Sequence, residues 1–448
     1  MKTQFSTIQR LTSLLLTVLS LTLLPSCSCE EPLPIGRANP QPPASERCGY
    51  TVATFYAPRR RGAVAIIFDT RNTGAAPRGA LWQDHHSNTI QGPEWNALDI
   101  GQVFGTAIDS NDNVYLASSD IYFETGGNSS LGIVSGNSSR PNPPARIFKF
   151  SPPTFNLVSS VDLPSSISPL NGIGNIAYNR IQDQLFATNI EDGIIYRISS
   201  TPSIIDSYDP FNPDGGTPGI APLDERIWGI GINQEATGTK VYFSRVSTSG
   251  RSIYSITLLA TGGFPAPGSE IEEISNIPGD APIIADIAFS SDGENMLLAE
   301  HGSPDSASVI RYSLISGAWT LQPMVFVGGS ANASALGTAG TNTGGGVDFG
   351  QAGTEATPNQ GCDQLIWASG NYLSTGADTS SFIGLQGISV NGNQMSTFGQ
   401  PSANLDTDIF IDYDNQLSVP ETFGAPGDVE SFDCGICGGS SLSDYLGG

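Results

Sequence analysis

The sequence predicts an all-β fold, and three observations predict it. Four segments repeat one pattern of apolar strand, polar turn and second strand. A third alternating strand follows each of them. Outside the N-terminal leader there is no amphipathic run long enough for a core helix.

The repeats come first, because internal periodicity decides a fold where it exists. Residues 105–118 read GTAIDSNDNVYLAS, 174–189 read GNIAYNRIQDQLFATN, 229–245 read GIGINQEATGTKVYFSR and 285–300 read ADIAFSSDGENMLLAE. Each begins with a small residue and a short apolar strand ending near Asp109, Asn179, Asn233 or Ser290. An Asn-, Asp-, Gly- or Gln-rich turn follows, and the second strand ends in a small or polar residue. Alternation plus turn chemistry makes each a β-hairpin. The third strands are RIFKF (146–150), IIYRIS (194–199), SIYSITL (252–258) and VIRYSL (309–314).

Three or four strands, repeated, are what a propeller blade needs. A lone blade cannot bury both faces, whereas blades set around an axis cover one another. The small residues Ala107, Ala177, Gly231 and Ala288 are spaced 70, 54 and 57 positions apart, so the blades are large and their loops long. Three further segments complete the ring: AVAIIFDT (63–70), GGVDFG to QLIWAS (345–369), and GLQGISV with DIFIDY (384–413). The expected fold is a single β-propeller over 50–433, of seven blades with six as the alternative.

The N-terminus carries a leader. Lys2 and Arg10 precede the apolar run Leu11 to Leu24. A membrane-spanning helix needs about 20 residues, so this shorter run fits a signal-peptide core. It ends in Leu24-Pro25-Ser26-Cys27, which resembles the bacterial lipobox. That resemblance implies cleavage after residue 26 and a lipid on Cys27; ordinary cleavage near Ser26, leaving a plain thiol, is the alternative. Glu30 and Glu31 resemble the surface-export signal of Bacteroidetes lipoproteins. The expected location is therefore the bacterial outer membrane, facing outward. Residues 27–49 form a Pro-rich tether, and 434–448 a Gly- and Ser-rich tail.

Charge excludes two classes of partner. With 19 Lys and Arg against 43 Asp and Glu, the formal net charge is −24. Such a surface repels nucleic acid and anionic headgroups. Membrane contact is expected only through the N-terminal lipid.

The segment GQVFGTAIDSNDNVYLASSDIYF (101–123) resembles propeller regions of large Bacteroidetes surface proteins, where they precede serine-aspartate-repeat B-type domains. APGDVESFDC (425–434) resembles the way those regions end. The four hairpins also resemble NHL and gluconolactonase-type propellers. The second resemblance implies a divalent metal held at the channel by acidic and Asn side chains from several blades. Asp109, Asn179, Asn233, Asp286 and Asp348 are the residues it would bring together. Periodic Asp and Asn at strand ends also have a local use, bonding the turn that follows, and this is the reading adopted.

No catalytic set is evident. The histidines are His85, His86 and His301. The candidate metal ligands are Asp109, Asn111 and Asn113, an oxygen-rich turn of the kind calcium takes, and the Glu300-His301 pair ending a blade strand. No cofactor is expected, with Ca2+ as the exception that the turn allows. The cysteines are 27, 29, 48, 362, 434 and 437. Cys48 and Cys434 flank the propeller, so a bridge between them would staple its closure. The expected function is non-catalytic binding of a protein or glycan through the loop-rich face. The alternatives are a metal-dependent lactonase-type hydrolase and an envelope assembly scaffold. Convergence of three carboxylate or Asn side chains on one axial point is the feature that separates the hydrolase from the others.

Overall fold

Hairpins closed by Asp- and Asn-led turns are the unit from which the molecule is built. The computed structural model describes residues 49–57, 61–70, 89–119, 121–122, 145–164, 172–211, 221–279, 281–302, 307–325, 327–328, 342–350, 363–373, 382–390, 394–395, 409–413 and 425–432. Cys27, Cys48, Cys434, His85 and His86 lie outside them.

The chain opens with β1 (Tyr50–Phe55) and β2 (Ala65–Asp69). Blade 1 is β3 (Val103–Ile108), β4 (Val114–Ser118), β5 (Arg146–Ser151) and β6 (Asn156–Asp162). Blade 2 is β7 (Ile173–Asn179), β8 (Gln184–Asn189), β9 (Ile194–Ser199) and β10 (Ile204–Tyr208). Blade 3 is β11 (Ile227–Glu235), β12 (Gly238–Ser247), β13 (Gly250–Thr257) and β14 (Ile271–Ile274). Blade 4 is β15 (Ile283–Phe289), β16 (Asn295–His301), β17 (Val309–Ile315), β18 (Ala318–Leu321) and β19 (Met324–Val325). Blade 5 is β20 (Thr343–Gly350), β21 (Leu365–Leu373), β22 (Phe382–Ser389) and β24 (Ile409–Asp412), with β23 (Gln394–Met395) crossing to pair with β19. β25 (Pro426–Ser431) pairs with β1, so blade 6 is β25-β1-β2.

Every pairing between these strands is antiparallel, and the first strand of each blade is innermost. β3 lies beside β7, β7 beside β11, β11 beside β15, β15 beside β20, β20 beside β25, and β25 beside β3. Six innermost strands therefore close a ring. The described residues form six blades, the alternative to the seven expected, for a definite reason. The segments 345–369 and 384–413, counted as two blades from the sequence, are hydrogen-bonded into the one sheet β20-β21-β22-β24.

The core confirms the count. Among the described residues, six apolar layers lie between neighbouring blades. Ala107, Tyr115 and Ala117 of blade 1 pack on Ile176, Leu185 and Ala187 of blade 2, for example. Trp95, Phe148, Phe150 and Phe155 fill the layer between blades 6 and 1. A seventh cluster sits on the axis.

The turns follow the chemistry read from the sequence. Asp112 (φ 59°) and Asp183 (φ 49°) take the left-handed conformation in the tight turns of blades 1 and 2, and Gly293 (φ 70°) does so in blade 4. Tyrosine hydroxyls on the strands lock the hairpins of blades 1, 2 and 3. Tyr115 donates to Asp109 (3.0 Å), Tyr178 to Asp183 (2.6 Å) and Tyr242 to Glu235 (2.5 Å).

Candidate functional site

The innermost strands converge so closely that side chains fit on the axis from alternate blades only. Two positions before the small residue of each repeat stand Gly105, Asn175, Gly229 and Asp286; Gly346 and Asp428 continue the series in blades 5 and 6. A Cβ on Gly105 would lie 2.6 Å from Asn175 Oδ1, one on Gly229 2.9 Å from the Asp286 nitrogen, and one on Gly346 2.5 Å from Asp428 Cα. Each glycine thus makes room for the polar residue of the next blade.

The three side chains meet across the ring. Asn175 Nδ2 of blade 2 donates to Asp286 Oδ1 of blade 4 (2.9 Å) and to the Ala285 carbonyl (3.2 Å), passing over blade 3. Asp286 accepts the amides of Ile287 (2.8 Å) and Val347 (2.9 Å). Asp428 accepts those of Val429 and Thr106, each at 2.9 Å. Burial, with Asp428 close by, pushes Asp286 well above the usual carboxylate range, and burial pushes Asp428 up to about 8.

Aromatic rings plug the axis at the end where the innermost strands begin. Tyr56, Phe104, Tyr122 and Trp228 are buried there with Ile190 and Ile283. Tyr122 lies 3.9 Å from Phe104 and 5.8 Å from Trp228, ring centre to ring centre, and donates its hydroxyl to the Gly174 carbonyl (2.9 Å). His301 stands edge-on to Tyr122 at 5.0 Å. Its Nδ1 lies 3.2 Å from the Gly344 carbonyl, so Nδ1 carries the proton in that contact. Burial lowers His301 to about 4, and the ring is neutral.

This shift has a measurable consequence. An unfolded chain protonates His301 below about 6.5 while the folded chain does not until about 4. The native state therefore loses stability as pH falls across that window. His301→Phe is expected to remove up to about 3 kcal/mol of that acid-side loss, measured by urea unfolding at several pH values. An acid limb unchanged by the substitution would show that His301 is not held neutral.

The residues singled out from the sequence do not form one site. Asp109, in the turn at the other end of β3, is occupied by protein donors. Its oxygens accept Asn111 N (2.8 Å), Asn113 N (3.0 Å), both Asn113 Nδ2 contacts (2.9 and 2.7 Å), Tyr115 Oη and Lys149 Nζ (3.1 Å). Burial works against its charge, but the bonds from Asn113, Asn111 and Lys149 outweigh it and hold Asp109 below its usual range. Lys149 already stands where a cation would, and the Asn111 side chain faces solvent.

Glu300 and His301 part company, as successive strand residues do. Glu300 is fully buried and bonded to Arg251 of blade 3, to Ser308 N (2.8 Å) and to Ser308 Oγ (2.5 Å). Burial raises its pKa while Arg251 and Ser308 oppose the rise. It is a structural ion pair between blades, and His301 alone reaches the axis. Of the five residues that a gluconolactonase-like centre would bring together, Asp286 alone lies there. Asn179 bonds Gln182 and Ile181 N, Asn233 bonds the Gly293 carbonyl, and Asp348 bonds Phe349 N and Ser431 N. Asn175 and Asp428 were passed over; Asn175 stands two residues before Ala177 and could have been read from its repeat, whereas Asp428 has Glu430 two positions on and carries no such mark.

The axial trio meets the positional criterion for a hydrolase centre but not the chemical one. Each Asp oxygen takes a backbone N–H, and Asn175 presents its NH2, a donor, to Asp286. These residues as placed do not fit a divalent cation, which needs free oxygen lone pairs.

No family model matches the sequence, and no curated protein does. Solved structures of similar shape include a candidate 6-phosphogluconolactonase from Bacteroides fragilis, at 11% identity and TM-score 0.41, covering 88% of this chain and 100% of that one. A protein from Lactobacillus plantarum matches at 10% identity and TM-score 0.40, covering 86% and 99%. A chain of a nidogen/laminin complex matches at 8% and 0.40, covering 85% and 97%. Across such distances the chemistry of those proteins does not carry over.

Proposed function

We propose that this chain is a non-catalytic binding propeller, held at the bacterial surface by a lipid on Cys27, that presents its loop-rich face to a protein or glycan partner. One observation carries the reading. The axial carboxyls are buried and take backbone N–H groups of their own and neighbouring strands, beneath a plug of buried aromatic rings, out of a substrate's reach. Connections of up to some thirty residues lead into the innermost strands, and a rigid scaffold commonly places recognition on such loops.

The test sets this reading against the lactonase-type one. The mature chain is assayed for hydrolysis of 6-phosphogluconolactone and simple lactones with Mg2+, Ca2+, Mn2+ or Zn2+ added, and its metal content and melting curve are measured with and without chelator. No turnover, no stoichiometric metal and no shift on chelation are expected, with binding on glycan or envelope-protein arrays. Turnover that disappears in Asp286→Asn would sink the binding reading.

A further inference from the structure

We propose that Tyr122 and His301 form one latch across the axis. It tightens the two opposite seams of the ring that lack a hydroxyl bridge found at the other four, and the ring flexes as two halves of three blades when the latch gives.

The bridge recurs at one register position. Beside the axial residue, on the second strand of the blade, stand Thr188 in blade 2, Ser244 in blade 3, Ser369 in blade 5 and Thr54 in blade 6. Each hydroxyl accepts the amide of its own axial residue: Asn175 (3.0 Å), Gly229 (2.8 Å), Gly346 (3.2 Å) and Asp428 (2.8 Å). Each also donates to a carbonyl on the innermost strand of the next blade: Trp228, Ile284 (2.7 Å), Gly427 (2.6 Å) and Phe104. Blades 2, 3 and 4 are joined in this way, and so are blades 5, 6 and 1. The same position holds Ala117 in blade 1 and Ala299 in blade 4, both buried and without a hydroxyl to donate. The two unbridged seams, 1 to 2 and 4 to 5, face each other across the ring.

Rings of the axial plug serve these two seams instead. Tyr122 Oη donates to the carbonyl of Gly174 (2.9 Å), the residue before axial Asn175, just as Trp228, Gly427 and Phe104 precede the axial residues of their blades. His301 Nδ1 donates to the Gly344 carbonyl (3.2 Å), two places before Gly346, as Ile284 stands two places before Asp286. The two rings meet edge-on at 5.0 Å, and Phe104 lies against both, 3.9 Å from Tyr122 and 6.1 Å from His301. Gly345, at φ +101°, admits the contact: a Cβ there would lie 3.0 Å from His301 Cβ and 3.2 Å from Phe104 Cζ. In so closely packed an interior neither ring shifts without displacing the other. The four hydroxyls are fixed on strands, whereas Tyr122 stands four residues past the end of β4. Apolar layers, Ser119 Oγ on the Ile173 carbonyl (2.8 Å) and Val347 N on Asp286 (2.9 Å) also cross the unbridged seams, so release loosens them without parting the halves.

The experiment is native-state hydrogen exchange by mass spectrometry on the full mature chain. Tyr122→Phe keeps the ring and removes only the hydroxyl. Exchange is expected to quicken about fivefold, the worth of one hydrogen bond, in β7 at the near seam and equally in β20 at the far one. β11 and β25, whose blades are bridged on both sides, are expected to keep their rates. A rise in β7 alone, an equal rise in all four strands, or none, overturns the latch. Ala117→Ser/Ala299→Ser makes the six seams alike, and in that background Tyr122→Phe is expected to leave β20 unchanged; sensitivity that persists there overturns the assignment of the rings to the hydroxyls' role. If Tyr122→Phe does not fold, the serine pair decides by itself: slower exchange in β7 and β20, with β11 and β25 unchanged, supports the latch, and unchanged rates in β7 and β20 overturn it.

Discussion

Deleting residues 425–432 will abolish cooperative unfolding of the ring. β25 is the innermost strand of blade 6, yet it is joined to the other strands of that blade only through pairing with β1, as in Thr51 against Ser431 and Val52 against Glu430. Phe432 N bonds the Tyr50 carbonyl (2.8 Å), and Thr54 Oγ1 lies 2.8 Å from the Asp428 amide. The strand buries Val429 and Phe432, worth about 1.5–3 kcal/mol each, and its backbone bonds add about 1 kcal/mol each. It also supplies Asp428. The sum is comparable with the ~5–15 kcal/mol that holds a whole domain together. The expected result is a broad, non-cooperative melt by circular dichroism, with partial recovery when a synthetic peptide of the excised segment is added. A sharp transition at the original midpoint would mean that β1 and β2 do not depend on β25.

Arg251→Met will destabilise the protein by about 3–5 kcal/mol, the cost of leaving Glu300 charged and alone in the interior. Arg251 lies between two blades, with Nη1 on the Ala281 carbonyl (2.7 Å) and Nη2 on that of Ile277 (3.2 Å), besides its bond to Glu300. The double variant Arg251→Met/Glu300→Met removes both charges and replaces them with apolar volume, which is commonly near neutral. A double-mutant cycle in urea should therefore show the double variant more stable than the single one. If both variants lose the same amount, the pair is not desolvated and Glu300 reaches water. The fit is tight: Gly279, at φ +126°, leaves no room for a Cβ between the Glu300 carboxylate and the guanidinium.

The hairpins were legible because their information is local. A turn of Asp-Ser-Asn-Asp-Asn between alternating strands declares itself within fourteen residues, and β3 to β4, β7 to β8, β11 to β12 and β15 to β16 all pair as the repeats imply. The blade count was misread where that locality fails. Blade 5 is interrupted by long connections, so one sheet looked like two, and blade 6 joins strands from opposite ends of the chain. The same distance hid the axis. Asn175 bonds Asp286, 111 positions away, and Asp428 works with partners from blades 1 and 4. Glu300 read as a site residue because its partner Arg251 lies 49 positions earlier, on another blade. The oxygen-rich turn left two readings open for a different reason. Oxygen-rich side chains satisfy cations and backbone amides alike, and only the positions of Asn113, Tyr115 and Lys149 show which of the two Asp109 serves.

The pairing of β1 with β25 also sets a timetable. Synthesis delivers a chain from its N-terminus, so β1 and β2 emerge first and wait for the strand that completes their blade. Until then the layer holding Trp95, Phe150 and Phe155 lacks Phe432, and the axis lacks one of its two acids. Blades 1 to 4 hold pairings between strands near in sequence and form early; the closing contact spans nearly the whole ring and comes last. Each molecule therefore passes through an interval, ended only by the arrival of residues 426–431, in which its oldest strands are the least protected. Whatever shields the nascent chain has its work concentrated on the first forty residues of the propeller rather than on the last.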